Sequence, residues 1–257
     1  MTEKKITVKT IRAMKKRGEK IASLTAYDFP TAKLLDEAGV PLMLVGDSLG
    51  MVVLGYPDTT HVMMAEILHH LRMVARAKPS ALLGADLPFK SYNNVKSAVA
   101  NAKKLAAAGA EFVKAEGGRE ILPQIRAIIG AGMPFCGHLG MLPQHVLEEG
   151  GYRVKGKTQD EQQQLLADAK ALQKAGAFAI VLELVVPELA RKISKSLAIP
   201  TIGIGSGEGC DGQILVTSDL IGSFPWFRPR FVQPRADVAA DIKSAVTAWK
   251  KSVESDA

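Results

Sequence analysis

Cysteine is nearly missing from this 257-residue chain: only Cys136 and Cys210 occur. Two cysteines exclude a disulfide framework, and neither has the CxxC or His-paired spacing of a zinc site, so a reducing compartment is expected. Long apolar runs are also missing. None approaches the ~20 residues of a membrane helix, and the N-terminal lysines are not followed by an apolar stretch of signal-peptide length. A soluble, cytoplasmic protein without a membrane role is the expectation. With 47% hydrophobic and 23% charged residues, the composition is that of an ordinary globular chain and not of a disordered or collagen-like one.

The formal charge is +7, which raises the question of nucleic acid or an anionic surface. Its location answers much of that question. Residues 1–20 hold eight cations against Glu3 and Glu19, so this arm carries +6 and residues 21–257 only +1. Thr7–Lys20 places Val8, Ile11 and Met14 at helical spacing beneath its cations and reads as a short amphipathic helix packed near the first strand. It has neither the aromatics nor the arginine richness that nucleic-acid binding would use, so no nucleic-acid partner is expected.

From Lys20 to about Leu220 one grammar repeats: a short apolar run closes on a polar residue, and a longer segment with helical spacing then ends in Ala-Gly. The junctions AGVPLMLVGD, AGAEFVKAEG, AGMPFCGHLG and AGAFAIVLEL each pair a glycine helix stop with an immediate strand. Eight strands are predicted, at Ile21–Thr25, Leu42–Val45, Ala81–Gly84, Phe112–Val113 with its neighbours, Pro134–Gly137, Ala179–Leu182, Thr201–Ile204 and, more weakly, Ile214–Val216. Eight βα units in ~250 residues predict a single (β/α)8 barrel spanning residues 1–257, with the basic arm as an N-terminal helix. A surface helix is expected over Asp160–Gln173, and Gly150–Thr158 reads as a long loop covering a site.

In such a barrel the chemistry projects from the C-terminal strand ends. The residues closing the runs are Asp28, Asp47, Asp86, Lys114 with Glu116, His138 and Glu183. Lys114 and Glu116, two apart, share a face. Asp47, Asp86 and Glu116 offer hard oxygen ligands with no thiol, which favours Mg2+ over zinc. The alternative is a carboxylate cluster neutralised by Lys114 and Arg119. Glu183 sits in apolar sequence, where burial raises a carboxyl pKa and suits it to proton abstraction, although an ion pair with a loop cation is equally compatible. His138 lies between small neighbours in CGHLG. His69 and His70 read as solvated or capping residues, and His61 and His145 lack a metal-ligand partner at useful spacing. Gly207–Gly212 spells GxGxxG, but it belongs to the seventh unit and is followed by strand-like sequence.

Seven motifs, LTAYDFPTA, VGDSLGMVVLGYPDT, GADLPFKSY, VKAEGG, GHLGMLPQ, GGYRVKGKT and IPTIGIGSGEGCDGQILV, together resemble the ketopantoate hydroxymethyltransferase family over about Thr7 to Arg235. One departure is Ser206, where the family pattern has alanine. The resemblance implies a barrel of the phosphoenolpyruvate/pyruvate superfamily and transfer of a one-carbon unit from 5,10-methylenetetrahydrofolate to 3-methyl-2-oxobutanoate. The product would be 2-dehydropantoate, in pantothenate synthesis, by way of a Mg2+-stabilised enolate. It further implies Asp47, Asp86 and Glu116 as metal residues, and Asp47, Ser48, Asp86 and Lys114 around the keto acid. Glu183 would be the proton acceptor, His138 would have a supporting polar role, and the assembly would be a homo-oligomer, a homodecamer by family habit. Rival readings are a Mg2+-dependent lyase or mutase of similar barrel, against which stands the missing KKCGH-like loop, and a non-catalytic metal-dependent sensor.

Overall fold

The computed structural model describes residues 4–255. Residues 1–3 of the basic arm, Glu3 among them, lie outside the described residues. Eight parallel strands close into a barrel in sequential order: β1 Ile21–Thr25, β2 Leu42–Val45, β3 Leu82–Asp86, β4 Phe112–Glu116, β5 Phe135–Gly140, β6 Ala179–Glu183, β7 Thr201–Ile204 and β8 Gly212–Leu215. All eight predicted runs are strands. β3 to β6 extend one to three residues further than their apolar sequence, because the ladder continues through the ionisable residues that close each run. The helices are α1 Val8–Arg17, α2 Phe29–Glu37, α3 Leu49–Val52, α4 Met64–Arg76, α5 Val95–Ala107, α6 Leu122–Gly130, α7 Gln159–Ala175, α8 Pro187–Ser196, α9 Thr217–Ile221 and α10 Val238–Ser255. By packing, the chain divides into two compact units, residues 1–214 with most of the barrel and residues 215–257 with α9 and α10. No helix among the described residues is long and apolar enough to cross a membrane.

Helix starts follow local chemistry. Thr7 caps α1 and Thr158 caps α7, each in a reciprocal capping box, while Asn94 does the same for α5. Asp28, one of the strand-end candidates, is the N-cap of α2: its carboxylate accepts the Thr31 N–H at 2.7 Å. The GxGxxG stretch runs into β8 and opens no helix.

Alternation along the strands sorts the barrel interior by height. The inward residues run Leu82, Gly84, Asp86 on β3; Phe112, Lys114, Glu116 on β4; Cys136, His138 on β5; and Ala179, Val181, Glu183 on β6. The lower members form one apolar cluster with Leu42, Leu44, Ile202 and Ile214, and Ile11 of α1, fully buried, closes it from below. Val8 and Met14 pack against the same cluster, as the amphipathic reading of the arm predicts. Gly84 is small for a reason of space: a Cβ there would lie 2.1 Å from the Phe112 ring. The upper members are ionisable, and that layer is the candidate site.

Candidate active site

Register brings the charged residues together. Asp86 pairs with Lys114 across β3 and β4, Glu116 with His138 across β4 and β5, and Glu183 with Gly140 across β5 and β6. Gly140 has φ +100, and a Cβ there would strike the Glu183 carbonyl at 2.1 Å, so glycine lets β5 bend close to the base of Glu183. Immediately after Glu183, Leu184 holds φ +48, an uncommon backbone conformation for a bulky residue. Its neighbours hold it on both sides: the Leu184 N–H donates to Ile204, and its carbonyl accepts from Lys155.

Asp47, Asp86, Lys114, Glu116 and His138 are all buried, and Glu183 nearly so. Lys114 Nζ lies 3.1 Å from Asp86 Oδ1 and 3.3 Å from His138 Nδ1, which makes Nδ1 the acceptor and leaves the imidazole proton on Nε2. His138 Nε2 is 3.2 Å from Glu183 Oε2, without the alignment of a hydrogen bond. The Asp47 N–H donates to Asp86 Oδ2 at 3.1 Å. Ser48 shares a 2.7 Å hydrogen bond with the Tyr27 hydroxyl at the edge of the same layer. The structure therefore gathers all seven residues expected from the sequence at one end of the barrel.

Burial dominates the electrostatics. It pushes the Glu183 carboxyl up to about 7, against the opposing effect of Lys114. Burial, reinforced by the charge of Asp86, raises Asp47 to about 7. Burial likewise raises Asp86, and it raises Glu116 well above the usual range, with Asp47 adding to it. For His138, burial and then Lys114 push the pKa well down, so the ring is neutral. Burial opposes the charge on Lys114, yet Asp86, Asp47 and Glu116 outweigh it and keep the ammonium protonated. Four acids thus face one permanent cation.

This surplus of negative charge tests the site for a metal. Beyond its ion pair Asp86 Oδ1 has no hydrogen-bond partner, and Glu116 Oε1 has none, although both are buried. Buried carboxylate oxygens left in that state are costly unless a cation joins them. Among the described residues, no group of three or more acid, imidazole or thiol side chains is arranged to hold a metal ion by itself. Mg2+ does not need one, since it binds through one or two carboxylates and keeps several waters. The donors fit that ion.

Other expectations change. Arg119 does not neutralise the cluster: its Nε pairs with Asp168 at 2.6 Å, outside the barrel mouth. His70 is neither solvated nor a cap but buried, its Nδ1 2.7 Å from the Tyr27 carbonyl oxygen. His61 and His145 pair locally with Asp58 and Glu148. The expected covering loop runs beside the turn that follows Glu183, where Lys155 pairs with Leu184 and Val186. Tyr152 itself is 42% exposed, with its hydroxyl 3.7 Å from Met51 Sδ. Neutral residues of the site carry no charge pattern in the sequence, namely Tyr27, Tyr92 and Gln144. Each lies inside a quoted motif, which was the available signal.

Comparisons with known proteins bear on the family and the fold. A family model described as ketopantoate hydroxymethyltransferase matches residues 5–257. A relative from Ignicoccus hospitalis, named 3-methyl-2-oxobutanoate hydroxymethyltransferase, is 51% identical over 98% of this chain and 96% of its own. One of the same name from Moorella thermoacetica is 50% identical over 97% and 93%. Among solved structures, a phosphoenolpyruvate phosphomutase from Streptomyces platensis subsp. rosaceus has a TM-score of 0.66 at 15% identity, covering 97% of this chain and 88% of that one. A 2,3-dimethylmalate lyase, described as a member of the PEP mutase/isocitrate lyase superfamily, scores 0.60 at 17% identity, over 95% and 86%. These distant likenesses show the barrel type, and the sequence relatives show more: the chain belongs to the ketopantoate hydroxymethyltransferase family.

Proposed function

We propose that this chain transfers a one-carbon unit from 5,10-methylenetetrahydrofolate to C3 of 3-methyl-2-oxobutanoate, giving 2-dehydropantoate and tetrahydrofolate with water supplying the hydroxyl. The observation that carries the reading is the placement of Glu183. It is a carboxylate raised to about 7, two strands along the barrel from a buried lysine, in a chain half identical to relatives of that name over nearly their whole length.

The substrate is a 2-oxo acid, and its carboxylate needs a cation inside the barrel. Lys114 supplies it, held in place by Asp86 and His138. Ser48, fixed by Tyr27, orients the bound acid at the rim. The C3 proton is weakly acidic, so its acceptor works best with a pKa near the operating pH, and Glu183 meets that requirement through burial. Neutral His138 sits beside Glu183 without neutralising it as an ion pair would. Water opens the methylene bridge, breaking both C–N bonds to give tetrahydrofolate and a one-carbon unit at the oxidation level of formaldehyde. Once Glu183 has taken the C3 proton, C3 bonds to that carbon and its oxygen takes up a proton to become the hydroxyl. Asp47, Asp86 and Glu116 would hold Mg2+, which as a Lewis acid would stabilise charge developing on the keto oxygen.

We also propose the homo-oligomeric assembly expected of the family. Ile242, Val246, Trp249 and Val253 form an exposed apolar stripe along α10, more than a solvated helix face normally carries.

The test is folate-dependent formation of 2-dehydropantoate by the purified chain. Product that appears only with both substrates supports the reading, while turnover of the 2-oxo acid by C–C cleavage without folate would replace it with a lyase.

A further inference from the structure

Gln144 is uncharged, 2% exposed and placed where charge is most crowded. It sits on the single turn Pro143–His145 that follows β5. Its Nε2 donates to Asp47 Oδ2 at 2.7 Å and to the Leu87 carbonyl at 3.0 Å. Its Oε1 accepts from the Tyr92 hydroxyl at 2.7 Å, and its backbone N–H donates to Glu116 Oε2 at 2.9 Å. Two acceptors at one end of the amide and a hydroxyl at the other fix which way it faces. Tyr92 is itself braced, 3.1 Å from the Glu116 carbonyl oxygen. One residue therefore ties the ends of β2, β3 and β4 to β5.

The choice of amide has a chemical logic. A lysine here would cancel the negative charge that a cation needs, and a glutamate would add a fifth acid beside Asp47. The amide fixes one oxygen of Asp47, and the backbone N–H fixes one oxygen of Glu116. The second oxygen of Glu116, Oε1, stays without a hydrogen bond. We propose that Gln144 is a positioning residue: locked by Tyr92, it orients Asp47 and Glu116 to bind a divalent cation. This rests on the reading of those carboxylates as the Mg2+ site. Groups that orient metal ligands typically change metal affinity by roughly 10–100-fold when replaced.

The experiment is calorimetric titration of Mg2+ alone into the full chain, stripped of metal with a chelator, for the native protein, Gln144→Met, Gln144→Glu and Tyr92→Phe. Gln144→Met keeps the length and loses the amide, and Mg2+ binding is expected to weaken roughly 10–100-fold. Raising Mg2+ should then recover most of the lost kcat, a response that simple loss of packing would not give. Tyr92→Phe, which leaves the amide in place but unlocked, should weaken binding less. Affinity within twofold of native for Gln144→Met overturns the proposal. If that variant does not fold, Gln144→Glu decides: weaker binding supports positioning, and equal or tighter binding overturns it. No Mg2+ binding by the native chain would remove the metal reading itself, and the proposal with it.

Discussion

At the N-terminal end of the barrel Lys5, Lys15 and Lys20 of the basic arm find acceptors, whereas at the C-terminal end four acids share one lysine. Lys15 Nζ donates to the carbonyls of Ser194 and Ile199 and to Asp211, each at 2.9 Å. Lys5 reaches the carbonyls of Pro79 and Ala81 and the Glu111 carboxylate, and Lys20 reaches Cys210 and Glu208 carbonyls. At the mouth, Asp86 Oδ1 and Glu116 Oε1 lack hydrogen bonds and burial lifts every acid. The same force, the cost of burying charge, is met by matched partners below and left unmet above. Charge at the bottom holds the fold together, and charge at the mouth is kept available for ligand.

The sharpest way to break the comparison is to remove a mouth charge and look for damage of the wrong kind. Glu183→Gln should lower exchange of the C3 proton of 3-methyl-2-oxobutanoate with solvent by roughly 10²–10⁴-fold, the usual worth of a positioned base. Mg2+ binding should be largely retained. Undiminished exchange, followed by NMR in deuterated water, would take the base assignment away from Glu183.

The same contrast predicts a pH dependence. Glu183 and Asp47 are carried from ordinary carboxyl values to about 7 in the folded chain. An acid with a raised folded pKa stabilises the fold below its unfolded value, and that stabilisation is lost as pH rises through the folded pKa. The metal-free protein should therefore melt at lower temperature at pH 8 than at pH 5.5. Glu183→Gln should flatten part of that slope, and Mg2+ should remove much of it by favouring the ionised acids. A flat native profile across this window would show the mouth to be better solvated than its burial implies.

At the opposite end the effect should fall on stability alone. Lys15→Met strands Asp211 and two carbonyls, and a loss of about 1–3 kcal/mol is expected for breaking a part-buried charge-assisted set. For a chain of this size that is roughly 2–4 °C in Tm per kcal/mol. Calorimetric melting measures it. Unchanged kcat and KM in the same variant would confirm the division between the ends, and a large fall in kcat would dissolve it.

How much was legible follows from what the sequence encodes locally. Strand cores and strand-end charges were visible because short apolar runs and Ala-Gly junctions repeat, and alternation placed Lys114 and Glu116 on one face. Asp28 misled because an N-cap and a catalytic carboxylate occupy the same position at the end of a strand, and only the Thr31 N–H at 2.7 Å separates them. Arg119 misled because two intervening glycines turn the chain outward, toward Asp168. Gln144 was invisible for a different reason: its importance lies in four contacts to residues 28 to 97 positions away, and a neutral amide gives no charge pattern to follow.

Ser206 tests the comparison most finely, because it lies at the mouth yet behaves as the bottom does. It is fully buried, its Oγ accepting the Val185 N–H at 2.9 Å and donating to the Leu182 carbonyl at 2.8 Å. These bonds bracket Glu183 and the left-handed Leu184, so the hydroxyl satisfies backbone groups that the sharp turn removes from the ladder. Alanine, which the family pattern carries here, would leave the Val185 N–H without this partner. Ser206→Ala should then cost about 0.5–1.5 kcal/mol of stability, the net worth of a typical hydrogen bond, unless water replaces the hydroxyl. Since the turn is held from both sides by Ile204 and Lys155 as well, kcat should change less than twofold. A larger fall in kcat without loss of Tm would mean that the hydroxyl sets the position of Glu183, and that satisfied and reactive polar groups are not segregated by height in this barrel after all.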